Sequence, residues 1–129
     1  MVVALTAGII YFQGVQNSIH KSIDKNDVLN VTVYGSKTTE VKDDVLIDNI
    51  IKWFNDASDI RINENFAGTT PAAGIIINLK SKETISILAS GSDFEIQRND
   101  ANSKNVSYWA KQENIKEYLS TLATKTEGE

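Results

Sequence analysis

The sequence predicts an α+β fold: a two-layer sandwich in which an antiparallel meander sheet carries two amphipathic helices on one face. Three observations carry this reading. Apolar residues alternate with polar ones through residues 28–41 and 75–110, with glycine- and serine-bearing turns between the runs. In two stretches, 45–54 and 115–122, the apolar period changes to helical spacing. Finally, 129 residues with 41% hydrophobic content form one domain with an ordinary core, which disulfides could not staple because cysteine is absent.

The chain opens with Met1 to Ile19, which carries no charged side chain and includes an apolar run from Val2 to Phe12. A helix over the first fifteen residues would reach about 22 Å, short of the ~30 Å hydrocarbon core of a bilayer. A secretory signal would begin with basic residues, and a lipoprotein signal would need a cysteine; neither is present. Residues 1–19 therefore read as the distal part of a membrane anchor, with Tyr11 and Phe12 at the interface. Residues 20–27 read as a polar tether in which the only histidine, His20, is solvated.

The folded domain is expected over residues 28–123. In the first strand Leu29, Val31 and Val33 alternate with Asn30, Thr32 and Tyr34; Gly35-Ser36 turns the chain, and Lys37 to Val41 forms a second strand. Asp43 or Asp44 caps a helix whose apolar positions are Val45, Leu46, Ile47, Ile50, Ile51 and Phe54, with Trp53 buried beside them. Ile60 to Ile62 is a short strand, and Asn63 to Gly74, with the only proline, is a crossover loop. Ile75, Ile77 and Leu79 pair through a two-residue Ser81-Lys82 turn with Ile85 and Ile87. Phe94 to Arg98 and Val106 to Ala110 flank a polar hairpin tip. The last helix shows Ile115, Tyr118, Leu119 and Leu122 on one stripe, and residues 124–129 form a disordered tail.

Charge and composition exclude several functions. Thirteen Lys and Arg against seventeen Asp and Glu leave a net charge of −4, with the lysines scattered singly. A nucleic-acid surface needs clustered cations, so no nucleic-acid partner is expected. The lack of cysteine removes thiol catalysis, Cys-ligated zinc and iron–sulfur chemistry. Asp43, Asp44, Asp48, Asp56, Asp59 and Glu64 surround the ends of the first helix, where capping and the helix dipole account for the first two. Gly91-Ser92 lacks the second glycine of a nucleophile elbow, and Gly68 to Gly74 lacks the Gly-Lys-Ser/Thr end of a phosphate loop. No catalytic, cofactor-binding or metal-binding constellation assembles, and no cofactor is expected.

Two binding surfaces remain. Alternation along the last strand turns either Tyr108 or Trp109 away from the helices, and an outward Trp109 beside Tyr34, Ser86 and Gln97 would anchor a partner. Phe66, Gly68, Thr69 and Thr70 form a small-residue loop able to hold a ligand.

From about Val28 to Leu122 the layout resembles small uncharacterised extracytoplasmic domains of Gram-positive bacteria, carried on lipoproteins or single-span anchors. The resemblance lies in the strand pair ending Thr39-Glu40-Val41-Lys42-Asp43, the helix Ile47 to Phe54, the hairpin Ile75 to Ile87, and Val106-Ser107-Tyr108-Trp109 before a terminal helix. It implies a domain outside the cell membrane and supplies no activity. The expected function is a membrane-tethered extracytoplasmic interaction or ligand-binding module, for an unknown protein or small ligand. The alternatives are a cytoplasmic inhibitor or immunity-type protein and, third, a small hydrolase.

Overall fold

The computed structural model describes residues 19–63, 71–90, 93–100 and 105–124. Of the anchor expected over residues 1–19 all but Ile19, with the loop residues Phe66, Gly68, Thr69 and Thr70, most of the hairpin tip and all of the expected tail but Thr124, lie outside the described residues. The chain runs β1 (Val28–Tyr34), β2 (Thr38–Glu40), α1 (Asp44–Asn55), β3 (Ser58–Ile62), β4 (Gly74–Leu79), β5 (Thr84–Ser90), β6 (Asp93–Asn99), β7 (Asn105–Lys111) and α2 (Glu113–Thr124). All seven strands join one antiparallel sheet in the order β2-β1-β4-β5-β6-β7-β3. β4 to β7 form a meander; the β1–β2 hairpin adds to one side and β3 closes the other.

Strand pairing sorts side chains into two sets. Val31, Ile77, Ile85 and Arg98 lie opposite one another across β1, β4, β5 and β6, as do Val33, Ile75, Ile87, Ile96 and Tyr108 across β1 and β4 to β7. All of them are buried, and the apolar members share one core cluster with Ile50, Ile51 and Phe54 of α1 and Ile115, Leu119 and Leu122 of α2. The isoleucines that dominate this set suit a pleated, packed surface, and each Ile→Ala truncation there would cost about 2–5 kcal/mol.

Several local expectations change. Leu29 is 63% exposed although it alternates with Val31 and Val33. Val28 pairs with Leu79 and Asn30 with Asn78, so Leu29 is the extra residue of a β-bulge. One inserted residue reverses parity, turning Val28 inward and Leu29 outward. Val45 is 67% exposed because, at about 100° per residue, it falls across the helix from Ile47, Ile51 and Phe54. Trp53 stands at the margin of that stripe and is half-buried, its ring centroid 6.2 Å from that of Tyr118 on α2. The second strand is shorter than expected, and α2 starts two residues earlier than Ile115, its first turn capped by Gln112, which accepts from the Ile115 N–H at 2.9 Å. Asp43 caps α1 as expected, accepting from the Val45 N–H at 3.0 Å.

Leu79 and Glu83 pair across the β4–β5 turn, leaving three residues at its tip, Lys80 to Lys82, and not two. Leu79 N–H donates to the Glu83 carbonyl (2.9 Å) and Lys82 N–H to the Leu79 carbonyl (3.0 Å), with Lys82 at φ 78°. A second positive φ, 54° at Asp59, marks the bulge by which β3 shifts register against β7.

Residues 19–27 are docked on the domain. Ile23 is buried, and the Asn55 side chain bonds both its N–H and its carbonyl, each at 2.9 Å. Arg98 donates to the Lys21 carbonyl at 2.6 Å, and Lys80 N–H to the Asp27 carbonyl at 2.8 Å. His20 is 7% exposed, correcting the solvated histidine expected from its polar neighbours. Its partners, Phe54 and Tyr108, lie far away in sequence, where no local pattern could disclose them. Among the described residues no helix is long and apolar enough to cross a membrane.

Candidate functional site

The second set of strand side chains forms a polar face. One row runs Tyr34, Gly74, Leu88, Glu95, Trp109, Arg61; the next runs Thr32, Ile76, Ser86, Gln97, Ser107; a third runs Asn30, Asn78, Thr84, Asn99, Asn105. Tyr34, Ser86, Gln97 and Trp109, expected to share a face, do so, and each is half-buried. They are not one compact patch. Tyr34 on β1 and Trp109 on β7 lie in the same row four strand steps apart, about 19 Å at ordinary strand spacing. Tyr34 lies over Gly74: a Cβ on that glycine would fall 2.4 Å from the tyrosine ring. Burial raises the Tyr34 hydroxyl above its ordinary pKa.

The centre of the face is a residue that sequence reasoning passed over. Glu95 points to the polar side yet is 7% exposed. Its Oε2 accepts from Asn63 Nδ2 at 2.6 Å and from Ser107 Oγ at 2.5 Å, and its Oε1 accepts from Gln97 Nε2 at 3.3 Å. Asn63, just after β3, is held by its N–H donating to the Ser107 carbonyl at 2.9 Å. The carboxyl group is thus fixed by neutral amide and hydroxyl donors; among the described residues no ion pair reaches it. Pairing Phe94–Arg98 with Val106–Ala110 around the hairpin tip already sets Glu95 opposite Trp109 and Gln97 opposite Ser107, so the signal lay in the register. What the pairing could not supply was Asn63, which reaches Glu95 only because β3 crosses to the β7 edge.

Beside this centre, Thr84 Oγ1 donates to Asn78 Oδ1 (3.2 Å) and Asn78 Nδ2 to Asn30 Oδ1 (2.8 Å), a hydrogen-bonded chain across three strands. Formal charge gathers at the β3 edge, where Arg61 pairs with Asp93 at 2.9 Å and Asp59 at 3.4 Å, and Lys111 meets Asp59 at 3.5 Å.

A second polar cluster lies within the core. His20 Nε2 is 2.7 Å from the Phe54 carbonyl, and Nδ1 is 2.7 Å from the Tyr108 hydroxyl. Arg98, buried beside them over the Phe54 ring, pairs with both carboxyl oxygens of Glu83 at 2.7 and 3.2 Å. Burial lowers the His20 pKa, assisted by the Arg98 charge and opposed by the Phe54 hydrogen bond. Burial pushes the Tyr108 hydroxyl up to about 12. These hydrogen bonds fasten the amino-terminal segment to α1, β6 and β7.

A cleft of about 440 Å³ opens between the β1–β2 hairpin and the helices, over Val33, Val41, Leu46, Tyr118 and Leu122. Among the described residues no group of three or more His, Asp or Glu side chains could hold a metal ion. No protein-family model, curated protein or solved structure matches this chain.

Proposed function

We propose that this chain is a membrane-tethered extracytoplasmic binding module whose ligand surface is the polar sheet face. In this reading the fold is a two-layer sandwich. Both helices cover the apolar side of the sheet, leaving the face of Tyr34, Ser86, Gln97 and Trp109 turned outward. The observation that carries the proposal is Glu95. Burying a carboxyl group costs several kcal/mol unless hydrogen bonds replace water, and an outward strand position could have held a threonine at no such cost. Asn63, Ser107 and Gln97 instead hold it in one orientation beside a half-buried tryptophan, the arrangement of a preformed recognition site. The uncharged residues 1–18, with their apolar run from Val2 to Phe12, support attachment to a membrane, and the docking of His20 and Ile23 would keep the domain close to it.

Fractionation and protease shaving of intact cells test the tethering. The chain is expected in the membrane fraction and cleavable from outside; a protease-resistant chain in the cytosol would overturn it and favour the inhibitor reading. The face is tested by comparing retention of cell-envelope components on immobilised wild-type, Trp109→Ala and Glu95→Gln proteins. Both substitutions should abolish retention; equal retention by all three would remove the face from the function.

A further inference from the structure

We infer that the polar face takes a neutral oligosaccharide laid across β5, β6 and β7, stacked on Trp109 and hydrogen-bonded through Gln97 and Ser86, with the buried Glu95–Ser107 pair holding Gln97 in position. This rests on the binding-module reading and specifies its ligand class. The first argument is charge. Across the three rows the charged side chains are Glu95 at the centre, Arg61 at one margin, paired with Asp93 and Asp59, and Glu40, opposite Thr32 on β2, at the other. A phosphate, sulfate or nucleic acid would meet no cluster of cations on the face. A cationic ligand would need an accessible carboxylate, and Glu95 is enclosed by its own donors.

The second argument is hydrogen-bonding type. The rest of the face offers Asn30, Asn78, Asn99, Gln97, Ser86 and Thr84, amides and hydroxyls that both donate and accept. A polyol presents the same dual character, since each sugar hydroxyl is donor and acceptor together. The third argument is shape. Trp109 is half-buried, a flat apolar ring flanked by Glu95 on one side and Arg61 on the other, suited to the apolar C–H face of a pyranose. Half-buried Leu88 and Ile76 extend an apolar strip from it toward Tyr34. A neutral peptide strand is a poorer fit, because it would seek main-chain partners at a sheet edge, and these groups lie on a face.

The test uses the full chain in a detergent without a sugar headgroup, carrying Trp53→Phe so that Trp109 is the only tryptophan. Neutral hexasaccharides of β-linked glucose, mannose, xylose and N-acetylglucosamine, and of α-linked glucose, are titrated by fluorescence and calorimetry. At least one should shift Trp109 emission saturably. In calorimetry Trp109→Ala and Gln97→Ala should weaken that binding about tenfold or more, while Lys42→Ala, on α1's approach, should not. Absence of binding by every hexasaccharide, or binding indifferent to Trp109→Ala, overturns the inference. Acrylamide quenching of Trp109 in the presence of envelope protein separates the two readings. Protection there, without sugar binding, would leave the face as a protein-binding surface and reject the glycan; no protection by either class would reject both.

Discussion

His20 Nδ1 lies 2.7 Å from the hydroxyl of Tyr108, a contact between residues 88 positions apart. The geometry fixes the tautomer. A carbonyl can only accept, so the Nε2 facing Phe54 carries the proton, and Nδ1 accepts from the Tyr108 hydroxyl. Burial, assisted by the nearby Arg98 guanidinium that pairs with Glu83, favours this neutral imidazole.

Stability should depend on pH at both limbs. The folded pKa of His20 lies below the ordinary 6.5, so the unfolded chain binds the proton more readily. Stability is then full above about 6.5 and falls as pH drops through that value toward the folded pKa. Tyr108 shows the opposite shift: its folded pKa near 12 exceeds the ordinary 10, so stability is lost as pH rises from 10 to about 12. Denaturant titrations across pH should show both losses, with the acidic limb flattened in His20→Gln; an unchanged acidic limb would dissociate it from His20. Tyr108→Phe should cost about 1–3 kcal/mol at neutral pH by leaving Nδ1 unpaired.

The two tryptophans should behave differently. Trp53 packs on Tyr118 at the margin of α1's buried stripe, so Trp53→Ala should cost about 1–3 kcal/mol, below the cost of a fully buried ring. Trp109→Ala should change stability by about 1 kcal/mol or less while removing ligand binding. Equal large losses in chemical denaturation would make Trp109 a core residue.

Gly35 meets the last turn of α2: a Cβ there would lie 2.3 Å from the Leu122 carbonyl oxygen. Backbone cannot rotate aside, so Gly35→Ala should push the hairpin away from the helix at about 1–3 kcal/mol. Gly74→Ala meets the Tyr34 ring, which can swing, and should cost less. Paired melting curves decide the order.

Removing residues 1–16 should leave a soluble, folded monomer with unchanged circular dichroism, since Ile19, His20 and Ile23 remain in place. Removing residues 1–24 should lower stability by about 3 kcal/mol or more, because it deletes a buried isoleucine and strips the Tyr108 hydroxyl and Asn55 amide of their partners. Equal stability of the two deletions would show that the docked segment contributes nothing.

Lys82 holds a left-handed conformation in the three-residue turn. Glycine adopts it without steric cost, so Lys82→Gly should raise stability by about 0.5–1 kcal/mol. A lower denaturation midpoint would contradict this.

Local pattern disclosed what local physics determines. The Ile75–Ile87 hairpin, the Asp43 cap and the Ile50–Phe54 stripe follow from alternation, capping chemistry and helical period. Leu29 was misplaced because a bulge reverses parity without any marker in composition. His20 and Glu95 were missed for a related reason: each is defined by partners that the topology delivers, Phe54 and Tyr108 to one, Asn63 to the other. The pairing of β3 with β7 is likewise a choice among sheet edges that five residues of alternating sequence do not make.

That edge pairing also sets an order of events during translation. β3 leaves the ribosome early, but its partner β7 is the last strand to emerge. β1 likewise waits for β4, and His20 for Tyr108. Long-range pairings of this kind are slow to form, so the nascent chain holds its amino-terminal strands and its first buried side chains exposed until synthesis is nearly complete. If residues 1–18 enter a membrane first, the domain folds afterwards against that fixed end, and closing β3 onto β7 is the step that finally withdraws Asn63 and Glu95 from water.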